Sequence, residues 1–301
     1  MEKFERSSQV PGTDTALCLD ICCGLENIPV PVESGDLNIP VFKYTPHHIA
    51  GPGAEVDPDE ITFTGCECLS PSCTEDTCRC FAFHGCAYES NQCFKNHNEV
   101  MNVFSPPIFE CNIMCKCSEN CINRVVQRGL QFKLQVFKTA SKGWGLRTLQ
   151  PINKGLFVCE YAGEILGFAE ACRRTQLQTK TDNNYLIAVR EYTSNGQVLQ
   201  TYVDPAQVGN IGRFINHSCQ PNLFMVPVRV DSMVPKLGLF AASDIMAGEE
   251  LSYDYSGKIN NLSQRAGQDQ FNTEDVPNKP CHCGAPSCVG FLPYDRSCFE
   301  S

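Results

Sequence analysis

Apolar and polar side chains alternate along several short segments from residue 130 onward. Residues 130–138 (LQFKLQVFK) show this most clearly, and an alternation with a period of two is typical of a strand that buries one face. Residues 168–178 (FAEACRRTQLQ) are the best candidate for a helix. Turn residues separate the segments, so the pattern predicts a mainly β domain with short helices. Further strands are predicted within residues 155–166, 185–190, 198–204, 223–230 and 236–243.

The rest of the chain differs in character from this β-rich domain. Its beginning is interrupted by Pro and Gly, a Cys-rich stretch with few apolar runs follows, and the end is polar apart from a small group of cysteines. We therefore divide the chain into an N-terminal segment (1–60), a Cys-rich domain (64–127), the β-rich domain (130–255), a polar linker (256–276), a C-terminal Cys module (277–293) and a tail (294–301).

Composition and charge limit the kinds of partner. Apolar residues make up 42% of the 301 residues and charged residues 19%, which is typical of a globular protein. The net charge of −10 argues against direct binding to DNA, because DNA-binding proteins present a basic face, but it suits a basic peptide. No apolar run approaches the ~20 residues of a membrane-spanning helix. The N-terminus also lacks the apolar stretch of a secretory signal.

Cysteine is unusually abundant. The chain has 21 cysteines, and 11 of them fall between Cys66 and Cys121. Closely spaced cysteines form a disulfide scaffold in a secreted protein and a metal site in a reducing compartment. Because no secretory signal is expected, reduced thiols that bind zinc are the favoured interpretation.

The spacing of the first cysteines indicates a multinuclear cluster. A group of five and a group of four supply nine thiolates: Cys66, Cys68, Cys73, Cys78, Cys80, Cys111, Cys115, Cys117 and Cys121. Tetrahedral zinc takes four ligands, so nine thiolates satisfy three zincs if three of them each bridge two ions. Such a cluster would carry a net charge of about −3. Two ordinary zinc sites with spare thiols are the alternative.

A second metal site is predicted near the C-terminus. Cys281, Cys283 and Cys288 offer three thiolates, and tetrahedral zinc needs a fourth ligand. His282 is a poor candidate because it lies between two ligands and would point away from the ion. The fourth ligand is therefore expected from another part of the chain.

Five motifs occur in an order that is specific to one family. They are KGWGLR (142–147), EYAGEIL (160–166), GNIGRFINHSCQPN (209–222), GEELSYDY (248–255) and CHCGAPSC (281–288). With them, residues 64–293 resemble the SET-domain protein lysine methyltransferases that carry pre-SET and post-SET zinc modules. The similarity is strongest to the branch fused to a mariner transposase, although no transposase is expected in this chain. The resemblance implies a β-clip SET fold with a pseudoknot, in which the Asn-His-Ser-Cys segment threads the loop of the catalytic tyrosine.

The resemblance also implies a cofactor and the residues that bind it. The cofactor is S-adenosylmethionine, and its implied binding residues are Lys142, Gly143, Trp144, Tyr185, Arg213, Asn216, His217 and Phe291. The implied catalytic residues are Tyr255, Tyr185 and Tyr253, with Tyr255 as the main candidate. The implied fourth ligand of the C-terminal zinc is Cys219. Tyr253 occupies a position where the family has Phe or Tyr, which predicts mono- and dimethylation.

The function implied by the resemblance is methylation of histone H3 on nucleosomes in the nucleus. The branch indicates lysine 36 as the target, with lysine 4 as a second choice. Two alternatives are lysine 9, which is the usual target of the wider family, and a catalytically inactive chromatin-binding protein. A zinc-cluster DNA-binding module is a further alternative, but the acidic net charge disfavours it.

Overall fold

The structure, a computed structural model, describes residues 19–33, 38–69, 71–76, 78–95, 107–179, 183–192, 197–256 and 279–293. Its strands are β1 (Lys43–Tyr44), β2 (Ile49–Ala50), β3 (Ile108–Phe109), β4 (Leu134–Lys138), β5 (Trp144–Thr148), β6 (Phe157–Glu160), β7 (Gly163–Leu166), β8 (Ile187–Tyr192), β9 (Val198–Gly209), β10 (Asn216–His217), β11 (Leu223–Arg229), β12 (Lys236–Ala241) and β13 (Ser252–Tyr253). Its α-helices are α1 (Arg79–His84) and α2 (Phe168–Leu177), and its 3-10 helices span Val126–Arg128 and Ile211–Phe214. In the described part of the chain, no helix is long and apolar enough to cross a membrane. Most of the predicted linker and the whole predicted tail lie outside the described residues.

The predicted elements are present, so the mainly β prediction is confirmed. The helix predicted at 168–178 is α2, and each segment predicted to contain a strand contains one. Segment 155–166 contains two strands, β6 and β7, which belong to different sheets because the chain turns between them. β9 continues to Gly209, five residues beyond the predicted segment 198–204.

The five-stranded sheet is built around the long strand β9, and the four-stranded sheet is built around the central pair β11 and β12. The five-stranded sheet has the order β1-β9-β7-β2, and β8 also pairs with β9. The four-stranded sheet has the order β3-β11-β12-β6, with β12 antiparallel to both of its neighbours. β4 and β5 form an antiparallel hairpin. The parallel pair β10-β13 completes the strand pairing and lies at the candidate active site.

The core follows from the alternation that the sequence shows. Leu134 and Val136 of β4 are fully buried, whereas Gln135 between them is not, and Leu146 of β5 is buried against the same cluster. Burial of each large aliphatic side chain stabilises the fold by about 1.5–3 kcal/mol. A second cluster is aromatic: the rings of Phe224 and Phe240 stack with their centroids 5.8 Å apart. These two clusters hold the sheets that position the site.

The N-terminal segment packs against the β-rich domain and adds two strands to one of its sheets. Lys43 of β1 pairs with Val208 of β9, and Ile49 of β2 pairs with Glu164 of β7, so both short strands form edges of the five-stranded sheet. Val30 is also fully buried in the main core. Strands of two residues are too short to show a periodicity, which is why the sequence does not predict them.

A buried charged cluster fastens this segment to the rest of the domain. The carboxylate of Glu160, only 7% exposed, accepts a hydrogen bond from the Lys236 ammonium at 3.0 Å and lies 3.4 Å from His47. His48 Nε2 lies 3.6 Å from the other carboxylate oxygen, and His48 Nδ1 accepts a hydrogen bond from the Gly163 amide at 3.3 Å. Burial lowers the pKa of His48 to about 4, so His48 is neutral at physiological pH. Despite the opposing effect of burial, Lys236 and the two histidines lower the pKa of Glu160 to about 2.

Candidate active site and metal centres

Two short parallel strands bring distant segments of the chain together. Asn216 of β10 is opposite Ser252 of β13, and His217 is opposite Tyr253. The amide of Ser218 donates a hydrogen bond to the Tyr253 carbonyl at 3.1 Å, which extends this pairing. The Asn-His-Ser-Cys turn and the tyrosines of the SYDY motif therefore belong to one site.

The main catalytic candidate, Tyr255, is held on both its backbone and its hydroxyl. Its amide donates to His217 Nδ1 at 3.2 Å, and its hydroxyl donates to the Ile215 carbonyl at 2.9 Å. Its ring lies 4.8 Å from that of Tyr253 and 5.3 Å from that of His217. Burial raises the pKa of Tyr255 above its ordinary value, so the hydroxyl stays neutral at physiological pH.

A further tyrosine, Tyr161, belongs to this group, although the sequence analysis does not assign it a role. Its ring packs edge-on against that of Tyr253, with 6.0 Å between the centroids, and its hydroxyl donates to the Tyr185 carbonyl. Tyr161 and Tyr253 are buried, and burial raises the pKa of both. The only sequence signal for Tyr161 is its place in the EYAGEIL motif. Tyr253 has ring contacts with both Tyr161 and Tyr255, and Tyr185 is joined to Tyr161 through its carbonyl; we call these four residues the tyrosine wall.

Arg213 is a buried cation surrounded by aromatic rings. Its guanidinium carbon lies 4.0 Å from the ring centroid of Phe42, 4.7 Å from that of Tyr185 and 5.6 Å from that of Phe214. One nitrogen donates to the Ala206 carbonyl at 3.3 Å, whereas Nε and Nη1 have no hydrogen-bond partner among the described residues. Burial lowers the pKa of Arg213, and unpaired buried donors favour the approach of an anionic group.

The KGWG turn is joined to the Asn-His-Ser-Cys turn. Gly143 has φ +75°, a conformation that glycine adopts readily, and its carbonyl accepts the Thr139 amide at 2.8 Å. Next to it, the Trp144 carbonyl accepts a hydrogen bond from Asn216 Nδ2 at 3.1 Å. The indole N–H of Trp144 donates to the Asn38 carbonyl at 3.3 Å. The N-terminal segment therefore contacts this turn as well as Arg213.

Two cofactor-binding candidates converge on one carboxylate that the sequence analysis does not single out. The Lys142 ammonium lies 2.7 Å from Glu250 Oε2, and Asn216 Nδ2 lies 2.9 Å from Glu250 Oε1. Both contacts span more than thirty residues of sequence, and GEELSYDY contains a neighbouring glutamate of the same type. A sequence pattern alone therefore gives no reason to choose Glu250.

The predicted C-terminal metal site is assembled from two parts of the chain. The sulfurs of Cys219, Cys281, Cys283 and Cys288 all lie within 4.8 Å of one another, and all four residues are partly exposed. The Cys281 amide donates to the Gly290 carbonyl at 2.9 Å, within a turn that places Pro280 opposite Phe291. Phe291, a predicted cofactor residue, is 51% exposed. Four convergent thiolates are a ligand set that suits structural zinc.

The nine cysteines of the first predicted cluster gather into one group with Phe81. Three sets of four sulfurs lie within 4.8 Å of one another: Cys66, Cys68, Cys73 and Cys78; Cys66, Cys78, Cys80 and Cys111; and Cys66, Cys73, Cys111 and Cys117. The sulfurs of Cys66 and Cys73 are 3.7 Å apart, as are those of Cys80 and Cys115. Tetrahedral geometry with Zn–S bonds of about 2.3 Å gives nearly the same separation. The sets overlap, which is the arrangement that bridging thiolates require.

Hydrogen-bond donors surround these sulfurs. The amides of Cys66 and Asn112 each donate to the sulfur of Cys115 at 3.2 Å. The buried Arg124 directs one nitrogen at the Cys117 sulfur, 3.6 Å away, and also binds the Cys111 and Asn112 carbonyls. A guanidinium in this position opposes the negative charge that thiolate ligands accumulate.

Comparison with known proteins identifies the class. Residues 22–124 match the Pre-SET motif, and residues 143–256 match the SET domain. The Pre-SET match begins inside the segment that the sequence analysis separates as 1–60. With the tyrosine wall and the two cysteine groups, these matches confirm the predicted SET fold. The chain belongs to the SET-domain histone-lysine N-methyltransferases.

Within this family, the chain is similar to the methyltransferase part of SETMAR. It is 57% identical over 284 residues to histone-lysine N-methyltransferase SETMAR of Rattus norvegicus, and this alignment covers 93% of this chain and 89% of that protein. Identity to SETMAR of Homo sapiens is 53% over 299 residues, covering 99% of this chain but 43% of the human protein. The crystal structure of the human SETMAR methyltransferase domain superposes with a TM-score of 0.81 at 52% identity, covering 92% of this chain and 98% of that one.

Two more distant solved structures contain ligands. Arabidopsis thaliana SUVH6 in complex with SAM has a TM-score of 0.70 at 32% identity and covers 92% of this chain and 56% of that one. KRYPTONITE in complex with methylated DNA, an H3(1–15) peptide and SAH has a TM-score of 0.66 at 28% identity, covering 97% of this chain and 57% of that one.

Proposed function

We propose that this chain transfers methyl groups from S-adenosylmethionine to a lysine of histone H3. The observation that carries the proposal is the convergence of the KGWG turn, the Asn-His-Ser-Cys turn and the tyrosine wall beside four cysteines. The SAM, SAH and H3 peptide found with the related SUVH6 and KRYPTONITE support it. The proposed setting is a nucleosome in the nucleus.

The residues around Arg213 and Asn216 fit the amino-acid end of the cofactor. Two guanidinium nitrogens of Arg213 without partners suit its carboxylate, and the amide oxygen of Asn216 suits its ammonium group. We propose that the backbone of His217 contacts the adenine, and that the KGWG turn and Phe291 supply further walls. When bound, S-adenosylmethionine supplies an electrophilic methyl group attached to a positively charged sulfur.

The tyrosine wall explains how a lysine becomes a nucleophile. A free lysine has a pKa near 10.4, so only ~0.1% of it is neutral at pH 7.4. Burial disfavours the ammonium form, and the positive sulfur of the bound cofactor would disfavour it too, which increases the neutral fraction without a carboxylate base. The Tyr255 hydroxyl donates its proton to the Ile215 carbonyl, so its oxygen presents lone pairs to the amine. We assign Tyr255 and Tyr185 to orienting the amine for an in-line displacement.

Tyr253 is proposed to limit the number of methyl groups. Its buried hydroxyl can hold a water molecule in the space that a third methyl group would occupy. We therefore propose mono- and dimethylation as the main products.

The variant Tyr253→Phe tests this limit. Removal of the hydroxyl releases the water, so we expect the main product to shift towards trimethyl-lysine, measured by mass spectrometry of an H3 peptide. Wild-type chain that already makes mostly trimethyl-lysine, or a variant with the same products, would show that Tyr253 does not set the product.

Lysine 36 of H3 is the proposed target, with lysine 4 as the second choice. Identity to the SETMAR relatives is 53–57%, whereas identity to the SUV39H1 and SUV39H2 relatives of Xenopus is 34–35%. This difference favours the assignment made from the SETMAR-like branch over lysine 9.

The decisive experiment uses labelled S-adenosylmethionine and recombinant nucleosomes. Three further nucleosome preparations carry arginine in place of lysine 36, lysine 4 or lysine 9 of H3, and Tyr255→Phe is the matched control chain. We expect the wild-type chain to label H3 in all nucleosomes except those that lack lysine 36, and the Tyr255→Phe chain to label none. Loss with the lysine 9 replacement would transfer the assignment to that residue. No labelling of any nucleosome would favour an inactive chromatin-binding protein.

The metal content is proposed to be four zinc ions. Nine clustered thiolates would hold three of them, and Cys219 would complete the fourth site. Cys73, Cys78 and Cys111 each belong to two of the three sets of sulfurs, which supports thiolates that bridge two ions. Elemental analysis of the purified chain separates four ions per chain from three, which two ordinary pre-SET sites would give.

A further inference from the structure

Glu250 joins two segments that the proposed function assigns to cofactor binding. Its Oε1 accepts from Asn216 Nδ2 at 2.9 Å, and its Oε2 accepts from the Lys142 ammonium at 2.7 Å. The backbone around Glu250 is fixed, because its carbonyl accepts from Asn222 Nδ2 and the next amide donates to the Leu146 carbonyl. The carboxylate is thus held where it can act on both segments.

The partners of Asn216 determine the orientation of its amide. The side-chain nitrogen of Asn216 faces two groups that can only accept, the Trp144 carbonyl and the Glu250 carboxylate. A rotated amide would place its oxygen against both acceptors and lose both hydrogen bonds. The amide oxygen is therefore the atom left available to a ligand.

From this geometry we infer that Glu250 is a positioning residue, which orients the Asn216 amide so that its oxygen accepts from the ammonium group of the cofactor. The inference rests on the proposed use of S-adenosylmethionine. Glu250 acts through Asn216 and Lys142, and its negative charge is neutralised by Lys142 rather than presented to the ligand.

The variant Glu250→Gln removes this function with little change in shape. A glutamine oxygen can accept from Asn216 or from Lys142 but not from both, while its NH₂ group repels the other donor. The matched control is Glu249→Gln. Glu249 is the adjacent carboxylate, and its side chain accepts from Asn222 Nδ2 at 2.9 Å and from the Met246 amide at 3.0 Å. Among the described residues, no hydrogen bond or ion pair joins it to Lys142 or Asn216.

The test measures binding of S-adenosylhomocysteine to the zinc-loaded full chain by calorimetry, with the melting temperature of the ligand-free chain recorded alongside. We expect the Kd to rise about tenfold for Glu250→Gln, as for the loss of one charge-assisted hydrogen bond, and to stay within about twofold for Glu249→Gln. The KM for S-adenosylmethionine should rise in parallel, while the KM for the H3 peptide stays unchanged. Glu250→Asp, which keeps the charge but is too short to reach both donors, is the second variant if the first does not fold.

The outcomes separate the two proposals. If the wild-type chain binds S-adenosylhomocysteine and the Glu250→Gln and Glu250→Asp variants bind it equally well, the proposed role of Glu250 is overturned. The proposed function is not affected by that result. A lower melting temperature with unchanged Kd would show a purely structural role and overturn the proposed role of Glu250 too. Wild-type chain that binds no S-adenosylhomocysteine would overturn the proposed function and this inference together.

Discussion

The buried carboxylate of Glu160 offers a sharp test of how the N-terminal segment is attached. Glu160 ends β6, while His47 and His48 lie between β1 and β2, so their contacts connect the segment to the four-stranded sheet. The variant Glu160→Gln keeps the size of the side chain but removes its charge. Lys236 then loses its carboxylate partner at 3.0 Å.

The expected loss of stability follows from the pKa of Glu160. A native pKa of about 2 against an ordinary value of 4.5 corresponds to about 3 kcal/mol at pH 7. Removal of one member of a buried ion pair independently costs about 3–5 kcal/mol. Because the native pKa is depressed, this stabilisation is complete above pH 4.5 and is lost as the pH falls towards 2.

Urea denaturation of the zinc-loaded chain at pH 7.5 measures this loss. Glu170→Gln is the matched control, because Arg173 and Arg174 also lower the pKa of Glu170 to about 2, but Glu170 is 17% exposed and Arg173 is 59% exposed. Solvent screens the Arg173 pair, and Arg174 keeps Glu164 and Asp204 as partners, so the control should lose less stability. Equal losses in the two variants, or a loss below about 1 kcal/mol for Glu160→Gln, would refute the argument that burial gives this cluster its strength.

Three further predictions concern the metal centres and acid sensitivity. Cys219→Ser should reduce the zinc content by one ion and weaken S-adenosylhomocysteine binding, because three thiolates leave the site incomplete; an unchanged zinc count would disprove the split site. Arg124→Met should speed the loss of zinc to a chelator about tenfold, because the Cys117 thiolate loses the guanidinium that donates to its sulfur. Unchanged release kinetics, followed with a metal-sensitive dye, would contradict this. The pKa of His48 is lowered from 6.5 to about 4, so the unfolded chain takes up the proton more readily than the folded chain. The free energy of unfolding should therefore fall by about 2 kcal/mol when the pH is lowered from 7.5 to 5.0. His48→Gln should remove that part of the pH dependence, and parallel curves for the two chains would count against it.

The sequence predicts the parts of this protein that depend on local spacing. Alternating apolar residues indicate the strands around Leu134 and Val136, and the short spacing between cysteines indicates the first cysteine cluster and three ligands of the C-terminal site. The fourth ligand, Cys219, follows only from the family resemblance. By contrast, Phe42 packs on Arg213 although more than 170 residues separate them in the sequence. The residues next to Phe42 and next to Arg213 in the sequence form no pattern that predicts this contact.

The site residues that sequence reasoning misses share this property. Tyr161, which lies between β6 and β7, belongs to the site because its ring contacts that of Tyr253. Glu250 belongs to it because its carboxylate contacts Lys142 and Asn216. A motif shows which residue types are present, but the hydrogen-bond partners that give each one its task are set by the tertiary fold. The two-residue strands of the N-terminal segment are undetectable for a different reason, since they are too short for any period.

The divided thiolate site has a consequence for biosynthesis. A ribosome makes Cys219 long before it makes Cys281, Cys283 and Cys288, so the nascent chain carries one unpaired ligand while the intervening residues are added. Metal can close this site only after the last of the four cysteines has emerged. Maturation of this site therefore depends on translation past Cys288, and a chain that stalls before Cys288 lacks the complete set of four ligands.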